Sequence, residues 1–261
     1  MSIEIVTGAA AQANVAGMPA NVLMYGPPGV GKTTDAVAAF VQDGRCNAFV
    51  IPCEDGGIKA PAARGLPVPD HVRTTVKSWG AMQEAIGWLG QNRQNYTGVI
   101  IDGLGTLTSN LYREAQAQFK GTNKYDIPVA VRNSLIMMRE WFRLLNLHCV
   151  FITHALPPAT VDNVFYPGSP LLQPKSMIND YYGLIDSVLR VDYVMTVAPP
   201  MQPATPTRVF FTGGTVWPEG FQQPHDWRYW RTKNREGCNW AIVPADLGAF
   251  LRSRQPPYQG L

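Results

Sequence analysis

The sequence predicts an α/β fold built on a mainly parallel sheet with helices on both faces. Four short apolar runs, at 22–25, 48–51, 99–101 and 149–152, have the length and composition of buried strands. Segments of helical length separate these runs, as the crossovers between parallel strands require. After about residue 190, strand-like runs follow one another through Pro/Gly-rich connections, which predicts antiparallel strands added to the same sheet.

The helices are predicted from apolar periodicity and from capping residues. Residues 34–40 are a helix-compatible run shortly after the first strand. Ser78 is predicted to be the N-cap of a second helix, in which Met82, Ile86 and Leu89 share one face. A third helix is predicted at 129–145. Its apolar stripe consists of Leu135, Met138, Trp141, Phe142 and Leu145.

The whole chain, 1–261, is interpreted as a single domain. Its hydrophobic content of 46% and charged content of 16% are those of a globular protein, and 261 residues are enough for one large core. Its subdivisions are an N-terminal extension at 1–20, a long proline-rich loop at 156–180 and the antiparallel strand extension at 190–240. The elements expected in the last part are strands at 193–197, 209–212 and 228–232 and a closing helix at 244–252.

Cysteine usage and hydropathy indicate the compartment. The four cysteines, Cys46, Cys53, Cys149 and Cys238, are scattered and form no C-x-x-C pair, which favours free thiols over disulfides or zinc ligands. No apolar run has membrane length, and the start of the chain lacks a basic segment followed by an apolar block. We therefore expect a protein of the cytoplasm. The net charge of +3 neither demonstrates nor excludes a nucleic-acid partner.

The segment GPPGVGKT matches the phosphate-binding pattern G-x-x-x-x-G-K-[ST] in full. It lies between a predicted strand and a predicted helix, so backbone N–H groups and the helix dipole can converge on phosphate oxygens. Lys32 is expected to reach the β- and γ-phosphates of ATP, and the Thr33 hydroxyl to bind Mg²⁺. The predicted nucleotide-binding residues are Gly26, Pro27, Pro28, Gly29, Val30, Gly31, Lys32, Thr33 and Thr34.

Two acidic residues are predicted beside this loop. Asp102 ends the buried run at 99–101, where we expect the Mg²⁺ shell, and Gly103 rather than a second acid follows it. The general base must then come from another strand, because the carboxyl ends of parallel strands share one edge of the sheet. Glu54 follows the strand at 48–51 and is the candidate for orienting the attacking water. A solvated turn acid is the alternative interpretation of Glu54.

This arrangement resembles the RecA-like division of P-loop ATPases, in which the catalytic glutamate follows the strand after the phosphate loop. FITHA, at 151–155, is similar to the strand end that carries a polar γ-phosphate sensor there, which makes His154, with Thr153, the candidate. A hydrogen-bonded structural histidine is the alternative. RYWRTKNREG, at 228–237, is similar to a late strand whose K-x-R tip reaches a neighbouring subunit's γ-phosphate. The resemblance implies that Lys233 and Arg235 act as such a finger, and a solvated basic strand end is the alternative.

Within that division, the chain resembles small phage-encoded ATPases of the single-strand annealing and recombination type (the Sak group), which have an AAA-type ATP-binding domain. The similarity covers about 20–250. It consists of YGPPGVGKTT, the acid-glycine turn after the second strand, VIID, ITH, the proline-rich loop, DSVLR and the basic-glycine strand end. The resemblance implies an ATPase stimulated by single-stranded DNA. We expect neither of the additional terminal domains of full-length RecA, so filament formation does not follow from the resemblance.

The resemblance also implies DNA contacts on the loops that follow the metal and sensor strands. The candidate residues are Lys124, Tyr125, Arg132, Phe165, Tyr166 and Lys175. Basic side chains interspersed with aromatic rings suit single-stranded DNA, because the charges follow the phosphates and the rings stack on bases. Ordinary surface loops are the alternative. The expected assembly is a homo-oligomer, either a ring or a filament, and a single-strand binding protein is a candidate partner.

Three other functions are compatible with the same motifs. The first is a translocating helicase or a helicase loader on the RecA-like fold. The second is a P-loop kinase of a small acceptor, although such kinases usually carry a lid of clustered arginines and do not need the tip at Lys233 and Arg235. The third is an ATP-gated DNA-binding module with negligible turnover.

Overall fold

The computed structural model describes residues 19–121, 123, 125–157, 159–161, 164–166, 169–174, 181, 183, 185–197, 203–211, 222, 233–234, 241–242, 247–248 and 251. The strands, in chain order, are β1 (Asn21–Gly26), β2 (Val41–Gln42), β3 (Arg45–Cys46), β4 (Ala48–Pro52), β5 (Gly98–Asp102), β6 (His148–Leu156), β7 (Ala159–Val161), β8 (Val164–Tyr166), β9 (Ser169–Pro170), β10 (Ser187–Met195), β11 (Pro206–Phe211), β12 (Lys233–Asn234) and β13 (Ala241–Ile242). The helices are α1 (Lys32–Ala38), α2 (Lys59–Ala63), α3 (Trp79–Gln91), α4 (Leu104–Gln118) and α5 (Asp126–Leu144), with a 3₁₀ turn at Arg93–Asn95.

Parallel strands form the centre of the main sheet, in the order β10-β1-β6-β5-β4. The four apolar runs of the sequence become β1, β4, β5 and β6, and the predicted fold class is confirmed. Every residue of β1, β4 and β5 is buried, which explains why these strands are continuous apolar runs rather than alternating ones. Their carboxyl ends lie at one edge of the sheet, where Gly26 pairs with His154 and Pro52 pairs with Asp102.

The fifth parallel strand, β10, begins earlier than the sequence indicates. Ser187 pairs with Val22 of β1 in parallel, whereas a strand was expected only from Tyr193. The apolar run is interrupted by the buried Arg190, whose guanidinium binds Asp192 at 2.6 Å. The antiparallel extension therefore starts one strand later than predicted, with β11 paired to β10, β13 paired to β11, and β12 paired to the first residues of β10.

Two elements expected in the last part of the chain lie wholly or partly outside the described residues. The strand expected at 228–232 lies outside the described residues. Within the helix expected at 244–252, the described residues 247, 248 and 251 are helical.

Helices cover both faces of the sheet, as predicted. One core contains α3, α4 and α5, with Met82, Leu107 and Leu135 among its buried side chains. The other core contains α1, through Val37, together with Leu247. The predicted N-cap of α3 is confirmed, because Ser78 Oγ accepts a hydrogen bond from the Ala81 amide at 3.2 Å. The sheet is thus packed between two apolar layers.

The long proline-rich loop contains regular structure. β7 and β8 pair as an antiparallel hairpin, and β9 pairs with the end of β6, where Ala155 lies opposite Pro170. The Gln173 amide donates to Thr108 Oγ1 of α4 at 3.1 Å. The strands are only two or three residues long, too short for hydropathy to reveal. Part of this segment therefore lies against the ends of β6 and α4, close to the carboxyl edge of the sheet.

The described cysteines are free thiols, in agreement with the sequence. Cys53 and Cys149 are buried, and burial raises the pKa of each thiol well above its ordinary value. Cys46 is partly exposed, and Cys238 lies outside the described residues. No helix in the described part of the chain combines the length and the apolar character needed to cross a bilayer.

Candidate functional site

The phosphate loop connects the carboxyl end of β1 to α1. Gly29 and Gly31 have φ angles of +76° and +94°, a backbone conformation that glycine adopts without a steric cost. The helix then begins at Lys32, whose ammonium donates to the carbonyl oxygens of Gly26 and Pro27 at 3.0 and 2.8 Å. The loop therefore combines the backbone path and the cation of a phosphate-binding cradle.

Thr33 and Asp102 meet beside this loop. Thr33 Oγ1 donates to Asp102 Oδ2 at 3.0 Å, which joins the first turn of α1 to the end of β5. Asp102 is only 1% exposed, and a Cβ atom at Gly57 would overlap its Oδ2, so the backbone of Gly57 closes one side of the carboxylate. A hydroxyl and a carboxylate are the hard oxygen donors that Mg²⁺ prefers. The two side chains therefore lie together at the end of β5, and their role as Mg²⁺ ligands stays a prediction.

Burial acts against both charges at this point. It raises the pKa of Asp102 to about 6, and the Glu54 carboxylate adds to the rise, whereas the Thr33 hydrogen bond and the Lys32 charge lower it. Burial also lowers the pKa of Lys32, against the attraction of Asp102, Glu54 and Asp192. A raised carboxyl pKa beside a lowered ammonium pKa is typical of functional sites, where burial disfavours the charged form of each side chain.

Glu54 follows β4 and lies against the turn that follows Asp102. A Cβ atom at Gly103 would lie 2.8 Å from Glu54 Cγ, and Thr106 Oγ1 is 3.4 Å from Glu54 Oε2. The Glu54 side chain is 29% exposed, so water reaches it. The next residue, Asp55, accepts a hydrogen bond from Thr75 Oγ1 at 2.5 Å instead. Of the two adjacent acids, Glu54 is therefore the one that contacts this turn.

His154 lies between the phosphate loop and Glu54. It pairs with Gly26 in the β1–β6 ladder, and its Nε2 is 3.5 Å from Glu54 Oε2. Its Nδ1 is buried and has no hydrogen-bond partner among the described residues. Thr153 is turned elsewhere, because its hydroxyl donates to the Leu171 carbonyl at 2.8 Å. Of the pair that the sequence singles out, His154 is thus the residue at the phosphate loop.

The region that holds these residues matches a known family. The family model described as an AAA domain matches residues 18–217, which include the whole parallel sheet, the phosphate loop and Asp102. The chain belongs to this AAA-domain family. Among solved structures, it is similar to a KaiC-like protein from the hyperthermophilic archaeon Pyrococcus horikoshii OT3, with 12% sequence identity, a TM-score of 0.44 and 82% of each chain covered. No curated protein matches the sequence.

The residues predicted to contact DNA are only partly described in this AAA domain. Tyr125 precedes α5 and is 81% exposed, and Arg132 lies on the exposed side of the same helix. Phe165 and Tyr166 belong to β8, of which the structure describes the backbone. Lys124 and Lys175 lie outside the described residues. A DNA-contacting role for all of these residues stays a prediction.

The predicted finger is placed differently from the other site residues. The backbone of Lys233 in β12 pairs with Val188, and Asn234 pairs with Ser187, which in turn pairs with Val22 in the first half of β1. From Lys233 to Asn234, β12 therefore runs toward the amino ends of the parallel strands, away from the phosphate loop of the same subunit. Arg235 lies outside the described residues, and the finger role stays a prediction.

Two arginines that the sequence did not single out lie at the phosphate loop of the AAA domain. Arg208 comes from β11 and Arg64 from the end of α2, and both guanidinium groups approach Gly31. No local motif marks either residue, because their positions depend on how distant segments pack. The family motifs of the sequence carry no signal that would have found them.

Proposed function

We propose that this AAA domain binds and hydrolyses ATP with Mg²⁺. The observation that carries the proposal is the convergence of Lys32, the Thr33–Asp102 pair and Glu54 at one edge of the parallel sheet. Lys32 binds the β- and γ-phosphates, and the backbone amides from Gly26 to Thr34 surround them. Thr33 and Asp102 would hold Mg²⁺, which would neutralise charge on the phosphates.

Glu54 is the proposed general base. Its carboxylate orients a water molecule for in-line attack on the γ-phosphorus and accepts the proton that this water loses, while the bond to the leaving ADP oxygen breaks. His154 contacts the same γ-phosphate and fixes the carboxylate in this proposal, which the 3.5 Å between its Nε2 and Glu54 Oε2 supports. With Glu54 as the base, the site needs no second acid after Asp102, because the base comes from the neighbouring strand of the sheet.

The proposed nucleic-acid partner of this ATPase is single-stranded DNA, in phage recombination and strand annealing. The support is the sequence resemblance, the exposed Tyr125 ring and the β7–β8 hairpin that follows the His154 strand. Exposed aromatic rings beside cations stack on unpaired bases. The protein acts as a homo-oligomer in which Lys233 and Arg235 reach the nucleotide of a neighbouring subunit, and a single-strand binding protein is its candidate partner.

The test measures phosphate release from ATP by the full chain, with and without single-stranded DNA, alongside size-exclusion chromatography under the same conditions. We expect Mg²⁺-dependent hydrolysis whose rate rises several-fold with single-stranded DNA. The active protein should elute as an oligomer. Duplex DNA of the same sequence is the control. Hydrolysis that requires duplex unwinding would favour a helicase motor. Phosphate transfer to a small acceptor, with no response to DNA, would contradict the proposal in favour of a kinase.

A further inference from the structure

We propose that Arg208 is a phosphate ligand of the bound nucleotide and that Asp35 is the residue that orients it. The inference rests on the proposed nucleotide binding and adds a cation that the phosphate-loop motif does not contain. Arg208 lies in β11, 173 residues from Asp35 along the chain, so the contact is made only in the folded sheet.

The guanidinium of Arg208 approaches two neighbouring residues through different nitrogen atoms. Its Nη2 donates to Asp35 Oδ1 at 2.5 Å, in the first turn of α1. Its Nη1 lies so close to Gly31 that a Cβ atom at that position would overlap it. Gly31 is the residue of the phosphate loop that directly precedes Lys32, at the point where the backbone amides turn toward the phosphates. One nitrogen of Arg208 is thus held by a carboxylate while another faces the cradle.

The shape of the guanidinium allows Arg208 to contact Asp35 and a phosphate at the same time. The guanidinium is a planar fork with several N–H donors, and it remains charged in proteins. A phosphate oxygen can therefore be bound through Nη1 without breaking the ion pair through Nη2. The Asp35 side chain is only 7% exposed and that of Arg208 is 22% exposed, so the pair is held in place and poorly hydrated. Asp35 accordingly fixes the direction in which the free nitrogen points.

A second cation lies at the same point. The Nη1 atom of Arg64, at the end of α2, would be 3.7 Å from a Cβ atom at Gly31. Two guanidinium groups from separate elements therefore approach one loop residue, although like charges repel each other. An anion between them relieves that repulsion. A nucleotide phosphate is the anion that this loop is built to bind.

The competing interpretation is structural: the Arg208–Asp35 pair fastens β11 to α1 and touches no ligand. Both interpretations expect a loss of stability when either partner is removed. They differ for nucleotide affinity. A fastening role affects both partners equally, whereas a phosphate ligand is lost when Arg208 is removed and only less well oriented when Asp35 is changed.

The experiment measures ADP binding by isothermal titration calorimetry, in Mg²⁺, to the wild type, Arg208→Gln and Asp35→Asn. ADP is used because binding is then independent of hydrolysis and of DNA. We expect Arg208→Gln to weaken ADP binding by roughly tenfold to a hundredfold, the range of one charge-assisted hydrogen bond. Asp35→Asn keeps the arginine and an oxygen that can accept its hydrogen bond but removes the charge that orients it, so it should weaken ADP binding by a smaller factor, roughly threefold to fivefold. Thermal unfolding without nucleotide shows whether each variant is folded.

Three outcomes would overturn the inference. The first is ADP affinity in Arg208→Gln within twofold of the wild type, and the second is an equal loss in both variants. Where Arg208→Gln does not fold, Arg208→Lys replaces it, since lysine keeps the ion pair but loses the planar fork. The third outcome is an ADP affinity of Arg208→Lys equal to that of the wild type. A wild type that binds no ADP, like a Lys32→Ala control, would instead refute the proposed function itself.

Discussion

Asp102 is the residue whose ionisation most directly reports on the metal position. Burial raises its pKa from 3.8 to about 6 in the folded chain, so between these values the folded state holds a proton that the unfolded state releases. The resulting stabilisation is fully present below pH 3.8 and is lost as the pH rises through 6. We therefore expect the free energy of unfolding without Mg²⁺ to fall across this window, by on the order of 2–3 kcal/mol from this group.

The measurement is urea unfolding of the wild type and of Asp102→Asn at a series of pH values. Asparagine has a similar shape and does not titrate, so other groups cancel when the two curves are compared. The variant should lack the fall between pH 4 and pH 6 that the wild type shows. Parallel curves for the two proteins would contradict the assigned burial of the Asp102 charge.

Single residues of the site were predictable to different degrees. The phosphate loop is a contiguous motif, and Asp102 and Glu54 each follow an apolar strand, so their edge of the sheet follows from parallel topology. Arg208 and Gly57 carry no such local signal. Arg208 reaches Gly31 because β11 pairs with β10, and Gly57 reaches Asp102 because β4 and β5 are neighbours. These contacts are fixed by strand order and not by spacing along the chain.

Among the elements, α3 offers a direct test of a feature read from the sequence. Ser78 Oγ accepts a hydrogen bond from the Ala81 amide, one of the amides that lack a partner within the helix. We expect Ser78→Ala to lower the free energy of unfolding by about 1 kcal/mol. Ser134→Ala is the matched control, because Ser134 lies inside α5 and its hydroxyl only donates to the Ala130 carbonyl.

Chemical denaturation of both variants checks this prediction. In the control, alanine has the higher helix propensity, so its stability should stay equal or rise by a few tenths of a kcal/mol. Equal losses in the two variants would show that the Ser78 hydrogen bond does not contribute as a cap.

Elements were predictable where their burial is uniform. β1, β4 and β5 are buried on both faces and appear in the sequence as unbroken apolar runs. The first half of β10 escaped prediction because the buried Arg190, which pairs with Asp192, interrupts its hydropathy. The pair is local, two residues apart, and it allows a buried arginine in a strand that lies between β1 and β11, which hydropathy alone does not reveal.

For the whole molecule, the trans finger makes the most distinctive prediction. The two residues of β12 run away from the phosphate loop of the same subunit, and the proposed finger therefore acts on the nucleotide of a neighbouring subunit. A variant with Lys233→Ala and Arg235→Ala should bind ATP but hydrolyse it poorly. Mixing it with Glu54→Gln should restore activity, because some interfaces then combine an intact Glu54 with an intact finger.

The measurement is the hydrolysis rate of mixtures across a range of protein concentrations. Activity per subunit should rise with concentration or with added single-stranded DNA, since rescue depends on assembly. Mixtures no more active than the mean of the two variants, under conditions where the wild type assembles, would return Lys233 and Arg235 to an exposed basic strand end. The strand order that creates this geometry is not apparent from the order of the motifs along the chain.

ATP hydrolysis by this AAA domain with Glu54 as the base is tested by a comparison of three proteins. ATP binding and ATP hydrolysis are measured on the same preparations of wild type, Glu54→Gln and Asp55→Asn. Glutamine keeps the shape of the side chain and removes the base, so ATP should bind normally while turnover falls by roughly a hundredfold or more. Asp55→Asn, whose side chain is engaged by Thr75, should stay within a few-fold of the wild type. Near-normal turnover in Glu54→Gln, or a collapse of turnover in Asp55→Asn alone, would contradict the role of Glu54 as the base.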